Sequence, residues 1–227
     1  MSEPAKIARR FRHEHGLLQA GLRRIAGVDE AGRGPLAGPV VAAAVVFPQD
    51  WILGGLPRKL RPINDSKQLS ETEREDLFTE LMAHPEIHHA VAEVDVSLID
   101  QINILQSTHR AMNLALARLN PAPEHALVDG LRVKTLAFPQ TSLVEGDALS
   151  YSIGAASILA KVTRDRLMRE LDQQFPQYGF AAHKGYGTPD HLAAIEKHGP
   201  CAIHRMSFHP FRPRQTELFA DEPLGKM

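Results

Sequence analysis

The sequence predicts an α/β fold in which a mixed β-sheet is flanked by helices and followed by a helical C-terminal extension. Two apolar runs, at residues 24–30 and 40–47, are joined by a glycine-rich link and indicate a β-hairpin. Two long segments, 97–120 and 150–171, have the periodicity of helices that cover a sheet. Shorter apolar runs between these helices supply the remaining strands.

Length and charge predict one domain with two tails. A chain of 227 residues can bury one sizeable core. We assign residues 1–22 to a basic N-terminal arm, 23–212 to the domain and 213–227 to a C-terminal tail. The formal net charge is only -1, but positive charge gathers in the arm and in residues 181–214. These clusters either meet a polyanion or form solvated surface, and charge alone does not choose between them.

Cysteine content and hydropathy predict the compartment. The single cysteine, Cys201, excludes an internal disulfide and fits a reducing environment. The N-terminus lacks the apolar stretch of a signal peptide, and no run approaches the roughly 20 apolar residues of a spanning helix. We therefore expect a soluble, cytoplasmic protein without membrane contact, acting as a monomer.

The first half of the chain supplies three predicted strands and two helices. Residues 40–47 are almost continuously apolar, which is typical of a strand buried on both faces. Ser70 and Glu73 form a capping-box pattern that begins a helix ending near residue 83. Residues 88–96 alternate as a strand does, and Ser97 is placed to cap the long helix that Asn120 and the following proline end.

The second half repeats the pattern of a short strand followed by a helix. Residues 125–130 form a brief apolar strand that ends in an Asp-Gly pair, and residues 143–144 belong to the next strand. A helix over 150–171 has small and apolar residues first and basic residues afterwards. Thr188 and Pro189 begin a shorter helix, which Gly199 and the following proline stop.

Acidic residues follow apolar segments at three places, where glycines or a helix start come next. They are Asp29 with Glu30, Asp129, and Asp147. A sheet that sets these ends side by side gathers four carboxylates, which repel by about 4 kcal/mol per pair at 4 Å and an effective dielectric of 20. A hard cation such as Mg²⁺ or Mn²⁺ relieves this repulsion and suits phosphodiester hydrolysis. In a regular strand Asp29 and Glu30 point to opposite faces, so joint binding requires the strand to break or twist there.

Five blocks together resemble one family, bacterial ribonuclease HII. In order, they are Gly-Val-Asp-Glu-Ala-Gly-Arg-Gly-Pro-Leu-Ala-Gly-Pro at 27–39, Asp-Ser-Lys-Gln-Leu-Ser at 65–70, Val-Asp-Gly at 128–130, Ala-Ala-Ser-Ile-Leu-Ala-Lys-Val-Thr-Arg-Asp at 155–165 and His-Lys-Gly-Tyr-Gly-Thr at 183–188. The resemblance spans about residues 24–210 and implies a ribonuclease H-like fold.

The resemblance implies an endonuclease that cuts the RNA strand of RNA-DNA hybrids and the 5′ side of ribonucleotides in duplex DNA. The products carry 3′-hydroxyl and 5′-phosphate ends, as ribonucleotide excision repair requires. Asp29, Glu30, Asp129 and Asp147 match the family's metal-binding acids, with Mn²⁺ or Mg²⁺ as the cofactor.

Substrate contacts are implied by the same resemblance. Gly32, Arg33 and Gly34 match a loop that reads the ribose 2′-hydroxyl through backbone groups, and Tyr186 matches an aromatic residue that stacks on a sugar. Lys67 and Lys184 are candidate phosphate contacts.

Further residues are candidates for roles in or near the site. Lys161, Arg164 and Arg166 are candidates for the substrate groove, Asp165 for a local ion pair and His183 for a proton shuttle. Gly154 stands where the family more often has alanine, and we expect it to affect stability more than chemistry.

The C-terminal tail contains a possible partner motif. Gln-Thr-Glu-Leu-Phe at 215–219 resembles the short peptides by which bacterial repair proteins dock on the sliding clamp, through Gln215, Leu218 and Phe219.

Two alternatives to the hybrid nuclease stay open at the level of sequence. One is another metal-dependent nuclease on a similar fold, such as a junction resolvase, which needs the acids but not the Gly32 loop and Tyr186. The other is a non-catalytic nucleic-acid-binding protein with a structural metal.

Overall fold

A computed structural model describes residues 9–212 and contains a five-stranded sheet with helices on both faces. The strands are β1 (Ile25–Ala31), β2 (Val40–Val46), β3 (His88–Val94), β4 (His125–Asp129) and β5 (Gln140–Leu143). The helices are α1 (Arg12–Gln19), α2 (Gln49–Gly54), α3 (Glu71–Ala83), α4 (Val96–Arg118), α5 (Gly146–Leu149), α6 (Tyr151–Gln174), α7 (Phe180–His183) and α8 (Pro189–His198), with 3₁₀ turns at Arg58–Leu60 and Pro176–Tyr178. None of the described helices is long and apolar enough to cross a membrane.

The sheet is mixed, as predicted, and has the strand order β3-β2-β1-β4-β5. The hairpin of β1 and β2 is antiparallel and pairs Asp29 with Ala43 and Glu30 with Ala42. β4 runs parallel to β1, with Val28 beside Val128, and β5 runs parallel to β4. The C-terminal ends of β1 and β4 therefore meet at one edge of the sheet.

Helix α6 covers one face of the sheet and α4 covers the other. One core cluster joins Val41, Ala43 and Val45 to apolar residues of α6. The opposite cluster joins Val28 and the even-numbered residues of β2 to α4. Gly27 lets β1 approach α6 closely, because a Cβ atom there would lie 2.1 Å from the Ser152 carbonyl carbon.

Several predicted boundaries change in the structure. Asp95, not Ser97, caps α4, and its side chain accepts a hydrogen bond from Leu98 N. The predicted strand over 88–96 ends at residue 94 for the same reason. Helix α4 is also interrupted at Asn103, whose φ is 67°, and Leu105, which the helical periodicity of residues 97–120 would place on the apolar face, is 46% exposed.

The described part of the N-terminal arm packs against the domain. Phe11 is 1% exposed and contacts the rings of Phe47 and Tyr151, with centroids 6.1 and 5.0 Å away. Helix α1 follows it, and the side chain of Glu14 is fully buried. No helix was predicted here, because the segment reads as basic and polar.

Candidate active site

The four predicted acids lie at neighbouring ends of the secondary structure. Asp29 and Glu30 occupy the end of β1, Asp129 is the last residue of β4, and Asp147 lies in the first turn of α5. Strand β1 continues regularly through Ala31, so the strand does not break at Asp29 and Glu30. Because side chains alternate along a strand, Asp29 lies on the α6 side and Glu30 on the α4 side.

Backbone amides hold one carboxylate oxygen of each aspartate. Oδ1 of Asp29 accepts from Glu30 N at 2.7 Å, Oδ1 of Asp129 from Gly146 N at 2.7 Å, and Oδ1 of Asp147 from Ala148 N at 2.8 Å. The bond from Gly146 ties the end of β4 to the start of α5. Each aspartate is thus oriented with one oxygen engaged.

Burial and neighbouring carboxylates raise the pKa values of Asp29, Glu30 and Asp147. Burial, then Glu30 and Asp129, raise the pKa of Asp29 well above its usual range. Burial also raises the pKa of Glu30, against the opposing effect of Arg33. Burial, then the charges of Asp129 and Asp65, raise the pKa of Asp147 to about 6. The structure therefore brings the four acids into one electrostatic group.

This group fits a hard divalent cation by its chemistry. The available donors are carboxylate oxygens, which Mg²⁺ and Mn²⁺ prefer, and a cation would offset the repulsion that raises these pKa values. Within residues 9–212, no three His, Cys, Asp or Glu side chains are already arranged as a metal site.

Sequence reasoning did not assign Asp65 to the site. Its charge raises the pKa of Asp147, and Oδ1 of Asp65 accepts from Lys67 N at 2.9 Å. The next residue, Ser66, accepts a 3.0 Å hydrogen bond from Ser157 of α6. An acid in an Asp-Ser-Lys turn commonly serves the turn itself, so the sequence of residues 65–70 carries no signal that distinguishes Asp65 from a turn residue.

A pocket of about 340 Å³ lies beside Glu30 and gathers most of the predicted substrate contacts. Its lining includes Gly32, Arg33, Gly34, Lys67 and Tyr186. Tyr186 is 45% exposed, so its ring is open to a ligand. A Cβ atom on Gly34 would lie 3.7 Å from the Tyr186 ring, which places the loop and the aromatic ring side by side.

Two buried arginines hold the backbone of this glycine loop and of the segments next to it. Arg205 donates to the carbonyl oxygens of Gly32 and Arg33 at 2.6 and 3.0 Å, and it is fully buried. Arg164 donates to Ala37 and Lys184 at 3.0 Å each. Arg164, a candidate for the substrate groove, lines this pocket, but the residue is only 1% exposed and its guanidinium donates to main-chain carbonyls.

Lys184 is not among the residues that line the pocket at Tyr186. Its ammonium group donates to the carbonyl oxygen of Ala181, and its own carbonyl accepts from Arg164. His183 has both ring nitrogens on main-chain groups, with Nε2 2.7 Å from Tyr178 O and Nδ1 accepting from Gly185 N at 3.2 Å. These contacts give His183 a structural role in place of proton transfer.

The other basic residues of α6 divide between the pocket and the surface. Lys161 lines the pocket and pairs with Asp165 at 2.8 Å, which is the local ion pair predicted for Asp165. Arg166 lies outside the pocket and pairs with Glu75 at 2.5 Å.

A second groove, of about 570 Å³, opens on the α4 side of the acids. Glu30 and Asp129 contribute to its wall, together with basic groups of Arg33, Arg132 and Lys134. Glu30 therefore borders two concave surfaces that both carry positive charge, an arrangement that suits a polyanion passing across the site.

Comparison with known proteins supports one family. The family model described as Ribonuclease HII matches residues 26–210. A ribonuclease HII of Ruminiclostridium cellulolyticum is 50% identical over 206 residues, which is 91% of this chain and 78% of that relative.

Two solved structures have the same fold. Ribonuclease H2 of Pyrococcus horikoshii superposes with a TM-score of 0.68 and 28% identity, over 83% of this chain and 95% of that one. The ribonuclease HII of Archaeoglobus fulgidus, solved in complex with PCNA, gives a TM-score of 0.68 and 25% identity over 86% and 99% of the two chains.

Proposed function

The chain belongs to the ribonuclease HII family and is an endoribonuclease, and on that premise we propose that it cuts the RNA strand of RNA-DNA hybrids. We extend the proposal to duplex DNA that contains single ribonucleotides, with incision on the 5′ side. The products carry 3′-hydroxyl and 5′-phosphate ends.

One observation carries the proposal. The electrostatic group of Asp29, Glu30, Asp129 and Asp147 adjoins the pocket that contains the Gly32 loop and Tyr186. A hydrolytic centre and a surface suited to a sugar are therefore neighbours. A nuclease indifferent to the sugar would need the first of these features and not the second.

The acids would hold Mn²⁺ or Mg²⁺, which supplies activation of water and stabilisation of the leaving oxygen when bound. Asp29, Asp129 and Asp147 each keep Oδ1 on a backbone amide, which orients their carboxylates, and these carboxylates would hold the cation together with Glu30. Glu30 contacts Arg33 at 3.3 Å and would release this exposed guanidinium towards a phosphate. Lys67 lines the same pocket and would contact the backbone of the cut strand.

Recognition of the ribose would rest on the loop at residues 32–34. Arg205 and Arg164 engage its carbonyl oxygens and those of neighbouring residues, so the loop offers a fixed backbone surface to the 2′-hydroxyl. Tyr186 would stack on the adjacent sugar, where its ring limits the room for a second 2′-hydroxyl. Lys184 stays a predicted phosphate contact that would require its ammonium group to leave Ala181.

The test uses a DNA duplex with one ribonucleotide, an RNA-DNA hybrid and an all-DNA duplex of matched sequence. Each is incubated with protein in Mg²⁺, Mn²⁺ or chelator. We expect metal-dependent incision 5′ to the ribonucleotide and cutting of the hybrid, with neither reaction in chelator. Asp129→Asn should abolish cutting, while Asp190→Asn, which changes an exposed acid of α8, should leave it unchanged.

Other results would favour the alternatives. Equal cutting of the all-DNA duplex would indicate a nuclease of the resolvase type. Binding without cutting under either metal would indicate a non-catalytic protein. Tyr186→Ala separates sugar recognition from metal-dependent cleavage. The variant should have a lower preference for a ribonucleotide and should still require the metal.

We also propose a sliding clamp as a partner of the C-terminal tail. The A. fulgidus relative was solved as a complex with PCNA, which supports clamp binding as a property found in the wider family. The motif residues Gln215, Leu218 and Phe219 lie outside the described residues. Replacing Leu218 and Phe219 by alanine should abolish retention on immobilised clamp, and unchanged retention would overturn this proposal.

A further inference from the structure

We propose that Arg10 is a positioning residue for the metal-binding centre, because it fixes the main chain at Asp147 relative to the loop that leads to Asp65 and Lys67. The inference rests on the proposed function, in which Asp147 is a metal ligand. Arg10 precedes residues 26–210, which match the family model, and nothing in the sequence blocks pointed to it.

The guanidinium of Arg10 connects two segments that are far apart in sequence. Nη2 donates to the carbonyl oxygen of Asp147 at 2.6 Å, and Nη1 donates to the carbonyl oxygen of Ile63. Ile63 stands two residues before Asp65. One side chain therefore spans the backbone beside an acid of the site and the backbone that leads into the Asp65 loop.

The position of this guanidinium is itself constrained. Arg10 is only 9% exposed, and its Cζ lies 4.2 Å from the ring centroid of Tyr151 at the start of α6. The absence of a side chain at Gly154 leaves room for it, because a Cβ atom there would lie 3.1 Å from Nη2 and 2.9 Å from Asp147 O. The planar fork is thus held between an aromatic face and two carbonyls, a geometry that lysine cannot reproduce.

Glu14, one turn later, attaches the same segment to the start of α6. Its Oε1 accepts from Ser150 Oγ at 2.5 Å and from Ser152 N at 3.3 Å. Ser150 is the N-cap of α6 and follows α5, the short helix that carries Asp147. The N-terminal segment therefore contacts the chain at Asp147 and again just after it, at the start of α6.

These contacts leave the carboxylate of Asp147 available while fixing the backbone to which it is attached. Groups that orient ligands commonly change metal affinity 10- to 100-fold when they are removed. We therefore expect Arg10 to act on the affinity for the ion rather than on the rate of the saturated enzyme.

The test measures Mn²⁺ binding directly, by the electron paramagnetic resonance signal of free Mn²⁺, in the full chain and in Arg10→Met and Arg10→Lys. The dissociation constant should rise about tenfold in Arg10→Met, which corresponds to about 1.4 kcal/mol. The dissociation constant of Arg10→Lys should lie between those of Arg10→Met and the unaltered chain. In cleavage assays the half-saturating Mn²⁺ concentration should rise in parallel, while kcat at saturating Mn²⁺ stays within about threefold.

Phe11→Leu is the matched control, since it loosens the same segment without touching the carbonyls of Asp147 and Ile63. It should lower the melting temperature and leave the Mn²⁺ dissociation constant unchanged. Equal weakening in Phe11→Leu and Arg10→Met, or unchanged binding in both Arg10 variants, would overturn the positioning role. Failure of the unaltered chain to bind Mn²⁺ would instead overturn the proposed function and this inference with it.

Discussion

Arg205 donates a hydrogen bond of 2.6 Å from Nη2 to the carbonyl oxygen of Gly32, at the centre of the predicted ribose-reading loop. The same guanidinium reaches the carbonyl oxygens of Arg33 and Gly38, each at 3.0 Å from a further nitrogen. Burial, then the charge of Arg164, lower the pKa of Arg205 to about 9, so it stays a cation at neutral pH. A residue at the C-terminal side of the domain thus determines the conformation of a loop that follows the first strand.

Arg205→Lys should disturb both stability and substrate binding. Lysine retains the charge but cannot engage three carbonyls, and each buried group left unpaired costs about 1–3 kcal/mol. We expect a loss of about 2–4 kcal/mol in the free energy of unfolding and a higher KM for ribonucleotide-containing duplex. Urea denaturation and steady-state kinetics measure the two effects.

Arg118→Lys is the control, because Arg118 makes one 2.7 Å hydrogen bond to Val91 O at the surface. Arg118→Lys should change the free energy of unfolding by no more than about 0.5 kcal/mol. An Arg205→Lys variant with the stability and KM of the unaltered chain would contradict the role given to Arg205.

The same substitution should have opposite effects at two glycines. At Gly27 a methyl group would lie 2.1 Å from Ser152 C and 2.3 Å from Ile153 N, so Gly27→Ala forces α6 away from β1. We expect a loss above about 4 kcal/mol, or no folded protein. Gly16 lies on an exposed part of α1 with nothing within 4 Å, so Gly16→Ala should stabilise by about 0.5–1 kcal/mol.

Thermal melting of Gly27→Ala and Gly16→Ala measures whether the first variant is destabilised and the second stabilised. Similar melting temperatures for both would contradict the close packing of β1 on α6.

Glu14 should make the stability depend on pH. Burial raises its pKa in the folded chain above that of an exposed glutamate. The folded state therefore retains a proton that the unfolded chain loses, so stability falls as pH rises from the unfolded value, near about 4.3, up to the folded pKa. Glu14→Gln should remove this contribution and gain stability relative to the unaltered chain as pH rises.

Urea denaturation at pH 4.5, 6 and 8 measures this difference between Glu14→Gln and the unaltered chain. Glu80→Gln, at a partly exposed position of α3, should show no comparable trend. A difference that does not vary with pH would show that Glu14 titrates in the folded chain as it does in the unfolded one.

Metal affinity should fall at acid pH because protons compete for the same oxygens. The pKa of Asp147 is raised to about 6, so below this value Mn²⁺ must displace a proton from it. We expect the Mn²⁺ dissociation constant to rise about tenfold for each pH unit below 6, because of the protonation of Asp147 alone.

Calorimetric titration at pH 5, 6 and 7.5 measures the dependence, with Asp190→Asn as a control that should behave like the unaltered chain. An affinity that is flat from pH 7.5 to 5 would contradict the raised pKa of Asp147.

The sheet and the acid group were predictable because their signals are local. The apolar runs before Asp29 and Asp129 identify β1 and β4, and the glycines after them mark where the strands end. Parallel pairing of these two strands then brings their ends together without further information. The capping box at Ser70 and Glu73 also forms as predicted.

The supporting contacts were not predictable, because they join positions far apart in the chain. Arg205 and Gly32 are separated by 173 residues, and Arg10 and Asp147 by 137. Neither arginine lies in a charge pattern that distinguishes it from a surface cation. The helical periodicity of α6 likewise gave no indication that Arg164 is buried and not on the exposed side of the helix.

The partners of Arg164 and Arg205 have a consequence for ionic strength. In the described part of the chain, both guanidiniums bind neutral carbonyl oxygens and neither forms an ion pair with a carboxylate. Dissolved salt weakens contacts between exposed charges and phosphates, but it has little access to buried dipoles. Concentrated salt should therefore release nucleic acid while the loop beneath it keeps its shape, and a low-salt buffer should restore binding without refolding.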